Sequence, residues 1–379
     1  MTILAVEPSS SVLPEAEPTV LPGESQGPRR RRSGMQVSRW RRFWRVLGFL
    51  AALTVVNTSL EVANRAAFPT VTTTGVVHSD MVNTVLPNTY WVFFPGFGIN
   101  FCSDVERAFA PVTGPTGRSF CVAPSTARLD PAEIASAVRA RIEENRDPGQ
   151  PVTLYLYGIS MGGMIAYDVA RQLDGQGDIV VRAVLFDSSP AGPDSVSADK
   201  RGFVALGATI NRLPDLPLGI PNPLKGGPLN RAALHIGEAA VENFREGRRP
   251  LGFDDIRTAW YKATVVTSGG MANQFDYIQN FYPMPDPNAL PYASFAYLRA
   301  QDAGADTTVD VRRAIDTYAG LIAPRRLAVH PVEGGAHASG DVTIQSYRAA
   351  LSDFIAAAGL PTADDIAQVR HVERGTFLR

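Results

Sequence analysis

Cysteine is almost missing from this chain of 379 residues: there are two, Cys102 and Cys121, beside five histidines. No C-x-x-C pair and no cluster of Cys or His occurs, so no metal site is expected. Acidic residues are absent from residues 29–45, which carry eight arginines. That charge is local. From a formal net charge of −1, removing those eight arginines and the four glutamates of residues 1–28 leaves about −5 for residues 46–379. A mildly acidic body offers no basic face, which excludes a nucleic-acid partner. The apolar run after the arginines, "VLGFLAALTVV" from Val46 to Val56, has eleven residues, or fifteen if carried to Leu60. Both fall short of the ~20 that a spanning helix wants. No internal repeat occurs.

What is present suits a folded body. At 45% hydrophobic and 19% charged residues, the chain can bury a sizeable core and is neither fibrous nor disordered overall. Residues 1–33, rich in Pro, Glu and Ser, form a tail expected to be disordered. Residues 34–66, a basic segment followed by the apolar run, predict a secretory signal peptide or an N-terminal membrane anchor. The following "EVANRAAFP" has no clean A-x-A site, so cleavage and retention both stay open. Arg41-Arg42 echoes a twin-arginine signal, and Met35 would begin a more ordinary signal peptide than Met1. In either case the arginines stay inside and the body goes out, exported and either anchored to the membrane or secreted. There, Cys102 and Cys121 would be able to form one disulfide; two buried thiols is the other reading.

The rest of the chain alternates strand and helix. Thr89–Phe94, Ser119–Ala123, Leu154–Tyr157, Val180–Asp187, Ala293–Ala300 and Arg326–Val332 read as strands. Asp130-Pro131-Ala132-Glu133 reads as a helix start, with an N-cap acid, proline at N1 and glutamate at N3. Ile134, Val138 and Ile142 would follow on one apolar face. Asp341 is placed to cap a final helix whose inward residues are Tyr347, Leu351, Phe354 and Ile355. This pattern predicts an α/β fold with a mostly parallel central sheet flanked by helices, over residues 67–360. From about residue 190 to 290 the rhythm breaks, with helical segments at Arg231–Glu246 and Asp254–Thr267. A long insertion between two strands predicts a cap or lid over their carboxyl ends. Residues 361–379 are a C-terminal extension.

The densest signal is "LYLYGISMGGMIAYDVARQL", residues 154–173. A strand runs into a helix through Gly158-Ile159-Ser160-Met161-Gly162, leaving almost no turn. This is the G-x-S-x-G nucleophile elbow, in which a serine on strained backbone stands at the top of a sheet. Side chains at Gly158 or Gly162 would clash where strand and helix pass. Ser160 then needs a base. His337 lies in the small-residue loop "EGGAHASGD", after the last strand and before the last helix. His330 sits inside a strand and reads as packed; His78, His235 and His371 are less well placed. The acid that holds the imidazole should follow a strand between serine and histidine. The loop after Ala293–Ala300 offers Asp302, Asp306 and Asp310; Asp306 is favoured, with Asp302 next and Asp187 third, the remainder reading as a cap or a solvated loop carboxylate. Backbone N–H groups of Met161 and of Phe97, in the turn "PGFG" after Thr89–Phe94, would form the oxyanion hole.

On these residues the chain resembles the α/β-hydrolase superfamily over roughly residues 85–360. The elbow Gly158–Gly162, a late aspartate and the His337 loop occur in the family order. One departure lies at the oxyanion strand's end, where many members have His-Gly and this chain has Pro95-Gly96. The resemblance implies a Ser-His-Asp serine hydrolase that needs no cofactor, and Ser160 sets it apart from members with an aspartate nucleophile. The expected substrate is an acyl ester, which can be lipid-like. Transfer of the acyl group to an alcohol of the cell envelope, or non-catalytic binding on the same fold, are the alternatives.

Overall fold

The strand Thr89–Phe94 (β2) shows how this chain builds its core. All six residues are buried, and they alternate. Tyr90, Val92 and Phe94 join one apolar cluster, while Trp91 and Phe93 join the other. A strand side chain flips face at every residue, so an unbroken aromatic run can only be a strand covered on both sides. Fully burying each such side chain contributes about 1.5–3 kcal/mol. Among the polar atoms this brings inside, Trp91 Nε1–H donates to Thr116 Oγ1 at 2.7 Å.

The computed structural model describes residues 33–67, 74–78, 86–98, 102–125, 129–212, 251–265, 268–286, 289–322, 327–338 and 343–361, with isolated positions between 232 and 243. The expectations for the tail before residue 33, the extension after residue 361, His235, His371 and Asp341 lie outside the described residues. So does most of the helix read at Arg231–Glu246.

The first element is a 35-residue helix, α1 (Ser33–Ala67), within which Trp40, Phe43 and Trp44 pack on one another. Its segment Trp40–Leu60, 21 residues at mean hydropathy 1.4, is long and apolar enough to cross a membrane. That segment takes in Trp40, Phe43 and Trp44 together with Arg41, Arg42 and Arg45, and so runs longer than the apolar stretch that begins at Val46.

The sheet has seven strands: β1 (Gly75–His78), β2, β3 (Arg118–Ala123), β4 (Val152–Ile159), β5 (Ile179–Asp187), β6 (Ser294–Ala300) and β7 (Leu327–Val332). Their spatial order is β1-β3-β2-β4-β5-β6-β7, with β1 antiparallel to β3 and every other pair parallel. Helices cover both faces. α3 (Pro131–Asn145), α4 (Met161–Leu173) and α8 (Val311–Leu321) contribute to one apolar cluster, while α2 (Ser103–Thr113) and α9 (Ile344–Ala357) contribute to the other. The α3 start follows its sequence signals in part: Asp130 accepts from Ala132 N–H, but Glu133 reaches away to Thr74 instead of closing a capping box. α9 has Thr343 at its N-cap.

Between β5 and β6 the alternation stops, and α5 (Ala198–Asn211), α6 (Phe253–Val265) and α7 (Ser268–Asn280) occupy the interval. α5 and α7 were not legible as helices. Two glycines in each dilute the apolar period, and what stabilises them is mutual packing, with Gly207 against the Phe275 ring.

The chain leaves β2 toward β3 on one side and returns to β4 on the other. In such parallel sheets the crevice at the carboxyl ends, where the order reverses, is the natural place for a site. Register brings Phe94 beside Gly158, and Ile159 beside Asp187, so these strand ends lie level.

Candidate active site

Ser160 sits between the end of β4 and the first residue of α4, at φ 51° and ψ −121°. A serine at positive φ is strained, and the surroundings hold it there. Its N–H donates to Asp187 O at 2.8 Å, and its carbonyl accepts from Gly163 N–H at 3.0 Å. The flanking glycines are steric necessities. A Cβ on Gly158 would overlap the backbone of Gly162 and Gly163, and one on Gly162 would strike Phe94 O.

His337 arrives from the loop after β7, 177 residues on in sequence, and its Nε2 lies 2.9 Å from Ser160 Oγ. Its Nδ1 lies 3.1 Å from both carboxylate oxygens of Asp306. An ionised carboxylate only accepts, so Nδ1 carries the proton, and a neutral ring then presents Nε2 as acceptor to the serine hydroxyl. Asp306 is buried. Burial alone would raise its pKa, but the His337 hydrogen bond and charge outweigh it, with help from Val309 and Thr308 N–H, and the net shift is downward. Both amides donate to Oδ1 at 2.9 Å.

The other acids are engaged elsewhere. Asp302 accepts from Gly304 N–H at an exposed turn, and Asp310 caps α8 by accepting from Arg313 N–H. Asp187, at the end of β5, is 2% exposed. Its carboxyl accepts from Tyr157 Oη at 2.9 Å and from Tyr347 Oη at 3.1 Å. Burial pushes its pKa up to about 7, partly offset by those two hydroxyls and by the nearby His337 charge. This buried tyrosine pair had no signal in the sequence beyond apolar position, because its partner acid comes from another strand. His330, read as packed, lies edge-on to the Phe354 ring, and burial lowers its pKa.

Met161 is buried as the first residue of α4. Phe97 follows β2 in the turn that faces the elbow. A Cβ added at Gly96 would come within 3.4 Å of Ser160 Cβ, so the backbone just before Phe97 passes beside the serine. Gly98, at φ +78°, donates its N–H to Gln274 Oε1 of α7 at 2.7 Å. The Phe97 ring meets Phe275 of the same helix at 4.6 Å. Cys102 and Cys121 form a disulfide, tying the start of α2 to β3. Among the described residues no group of three or more His, Cys, Asp or Glu is arranged to hold a metal ion.

Residues 119–205 match the family model of the thioesterase domain. No curated protein matches the chain. Among solved structures, an esterase from Exiguobacterium antarcticum is similar at 13% identity and TM-score 0.46, covering 74% of this chain and 94% of that one. A carboxylesterase of Nitrososphaera gargenis gives 14%, 0.48, 76% and 96%. Naproxen esterase from Bacillus subtilis gives 12%, 0.41, 79% and 96%. The strand order and the serine on a strained strand-to-helix elbow give this chain the α/β-hydrolase fold, and the thioesterase-domain match over residues 119–205 marks it as similar to hydrolases that act on ester bonds.

Proposed function

We propose that the protein is a serine hydrolase that cleaves an ester or thioester through an acyl-enzyme on Ser160. The observation that carries this reading is the unbroken hydrogen-bonded series from Ser160 Oγ through His337 to Asp306. His337 Nε2 takes the serine proton as Oγ attacks the acyl carbon, and the carbonyl π electrons move to oxygen. Backbone N–H groups of Met161 and Phe97 stabilise that oxyanion, aided by the positive end of α4. The tetrahedral centre collapses, and the alcohol or thiol leaves with the proton from His337. Water then repeats the sequence and frees the acid. Asp306 stays ionised, holds the ring in its tautomer and stabilises the imidazolium. The insertion between β5 and β6, whose α7 meets the turn after β2 through Gln274 and Phe275, serves as a cap over the carboxyl edge and gives the acyl chain its apolar surroundings.

The body works outside the cytoplasm, held by α1. Support for this comes from the spanning-length segment Trp40–Leu60 and the arginines that precede it. The reaction is tested with a fluorophosphonate probe and a panel of acyl esters and thioesters of graded chain length. Labelling at Ser160 and its loss, with all turnover, in Ser160→Ala is the expected result. Turnover that survives in Ser160→Ala, with the protein folded, would end the acyl-enzyme reading.

A further inference from the structure

α7 touches both pieces from which the oxyanion hole is assembled. On one side Tyr277 Oη donates to Asp168 Oδ2 at 2.8 Å, fixing α7 to α4, whose first residue is Met161. On the other, Gln274 Oε1 accepts from Gly98 N–H, and Phe275 packs on Phe97. Gln274 is 3% exposed, so this is an amide buried against a backbone donor, not a surface contact. A buried hydrogen bond of this kind is costly to break, because its partner is left unpaired.

Its position matters for the turn. A Cβ added at Gly96 would stand 3.2 Å from Ile159 O and 3.4 Å from Ser160 Cβ, so the backbone just ahead of Phe97 passes close to the elbow. Gly98 has the left-handed backbone and open space that let a peptide rotate. Of the two peptides flanking Phe97, the one ahead carries the Phe97 N–H, and the one behind donates the Gly98 N–H to Gln274. The two planes meet at the Phe97 Cα, so a turn that loses its Gln274 anchor can shift as a unit and carry the Phe97 N–H away from the serine.

Building on the acyl-enzyme reading, we infer that Gln274 is a positioning residue for the oxyanion hole. The insertion between β5 and β6, through the Gln274 side chain on Gly98 N–H, holds the Phe97 N–H where the acyl oxygen gains charge. Catalysis then depends on the insertion being seated, and an unseated insertion leaves the hole with one donor.

The test is Gln274→Met, which keeps length and apolar volume but removes the acceptor. Losing an oxyanion donor outright costs about 10²–10³ in kcat, so loosening one should lower kcat by roughly ten- to a hundredfold. KM for a small ester should stay within about threefold, since the hole acts on the transition state rather than on bound substrate. A boronic acid that mimics the tetrahedral state should lose affinity by the same factor as kcat/KM. Gln274→Glu, which restores an acceptor oxygen, should recover part of the loss. Arg212→Ala, which removes only an exposed ion pair to Asp276 of α7, should leave kcat unchanged. If Gln274→Met does not fold, Gln274→Asn, which withdraws the acceptor by one methylene, is read the same way. A folded variant with kcat within twofold of wild type, or one that raises KM alone, would overturn the inference while leaving the Ser160 mechanism intact. Full activity in Ser160→Ala would instead remove the reading on which it rests.

Discussion

Asp187 makes wild-type stability depend on pH in a way that Asp187→Asn should abolish. The carboxyl is 2% exposed between Tyr157 and Tyr347, and its pKa rises from 3.8 to about 7 on folding, chiefly by burial. A raised carboxyl pKa means that the folded state binds the extra proton between these values. Stability therefore falls as pH rises from about 4 to 7 and is flat beyond. Three pH units at 1.36 kcal/mol each amount to about 4 kcal/mol. Asparagine is neutral throughout. Its Oδ1 can accept from one tyrosine and its Nδ2 can donate to the other, so the buried partners stay satisfied. Urea unfolding of both proteins from pH 4.5 to 8.5 would measure the gap. The stability of the asparagine variant, taken relative to wild type, should climb by several kcal/mol across the range and level off above pH 7. A gap that does not change with pH would show that the carboxyl ionises alike in folded and unfolded chains, and the burial argument would fail.

The remaining expectations concern the site and its surroundings. Asp306→Asn should lower turnover by about 10⁴, the scale set by loss of the correct histidine tautomer in a serine triad, while Asp302→Asn should change it little; steady-state kinetics would show the reverse if the acid were misassigned. Gly158→Ala should cost about 3 kcal/mol or more through overlap with the Gly162 and Gly163 backbone. By contrast Gly202→Ala, inside α5 with open space around it, should stabilise by about 0.5–1 kcal/mol. Thermal melts of the pair in opposite directions check both. Intact cells treated with external protease should lose the enzyme while cytoplasmic markers survive; a resistant, soluble protein with both cysteines open to alkylation would refute export.

Local sequence chemistry determined much of this protein. A run such as Thr89–Phe94 has no helical stripe and too many aromatics to stay exposed, so it must be a buried strand. Gly158, Ser160 and Gly162 in succession, between a strand and a helix, admit only a tight elbow, because any larger residue meets backbone within a few bonds. These interactions act over neighbouring residues, and adjacency in the chain is enough to read them. Tertiary structure alone decided which groups meet across long separations. The sequence favoured Asp306 over Asp302 only by its place in the loop, and it is the fold after β6 that turns Asp306 inward, with Val309 and Thr308 N–H holding its oxygen. The role of Asp187 was hidden for the same reason: Tyr157 and Tyr347 reach it from another strand and from the last helix. Gln274, 176 residues from Gly98, is one polar residue among many in a glycine-containing segment. Only packing of the insertion against the sheet's carboxyl edge brings its amide to the turn beside the serine.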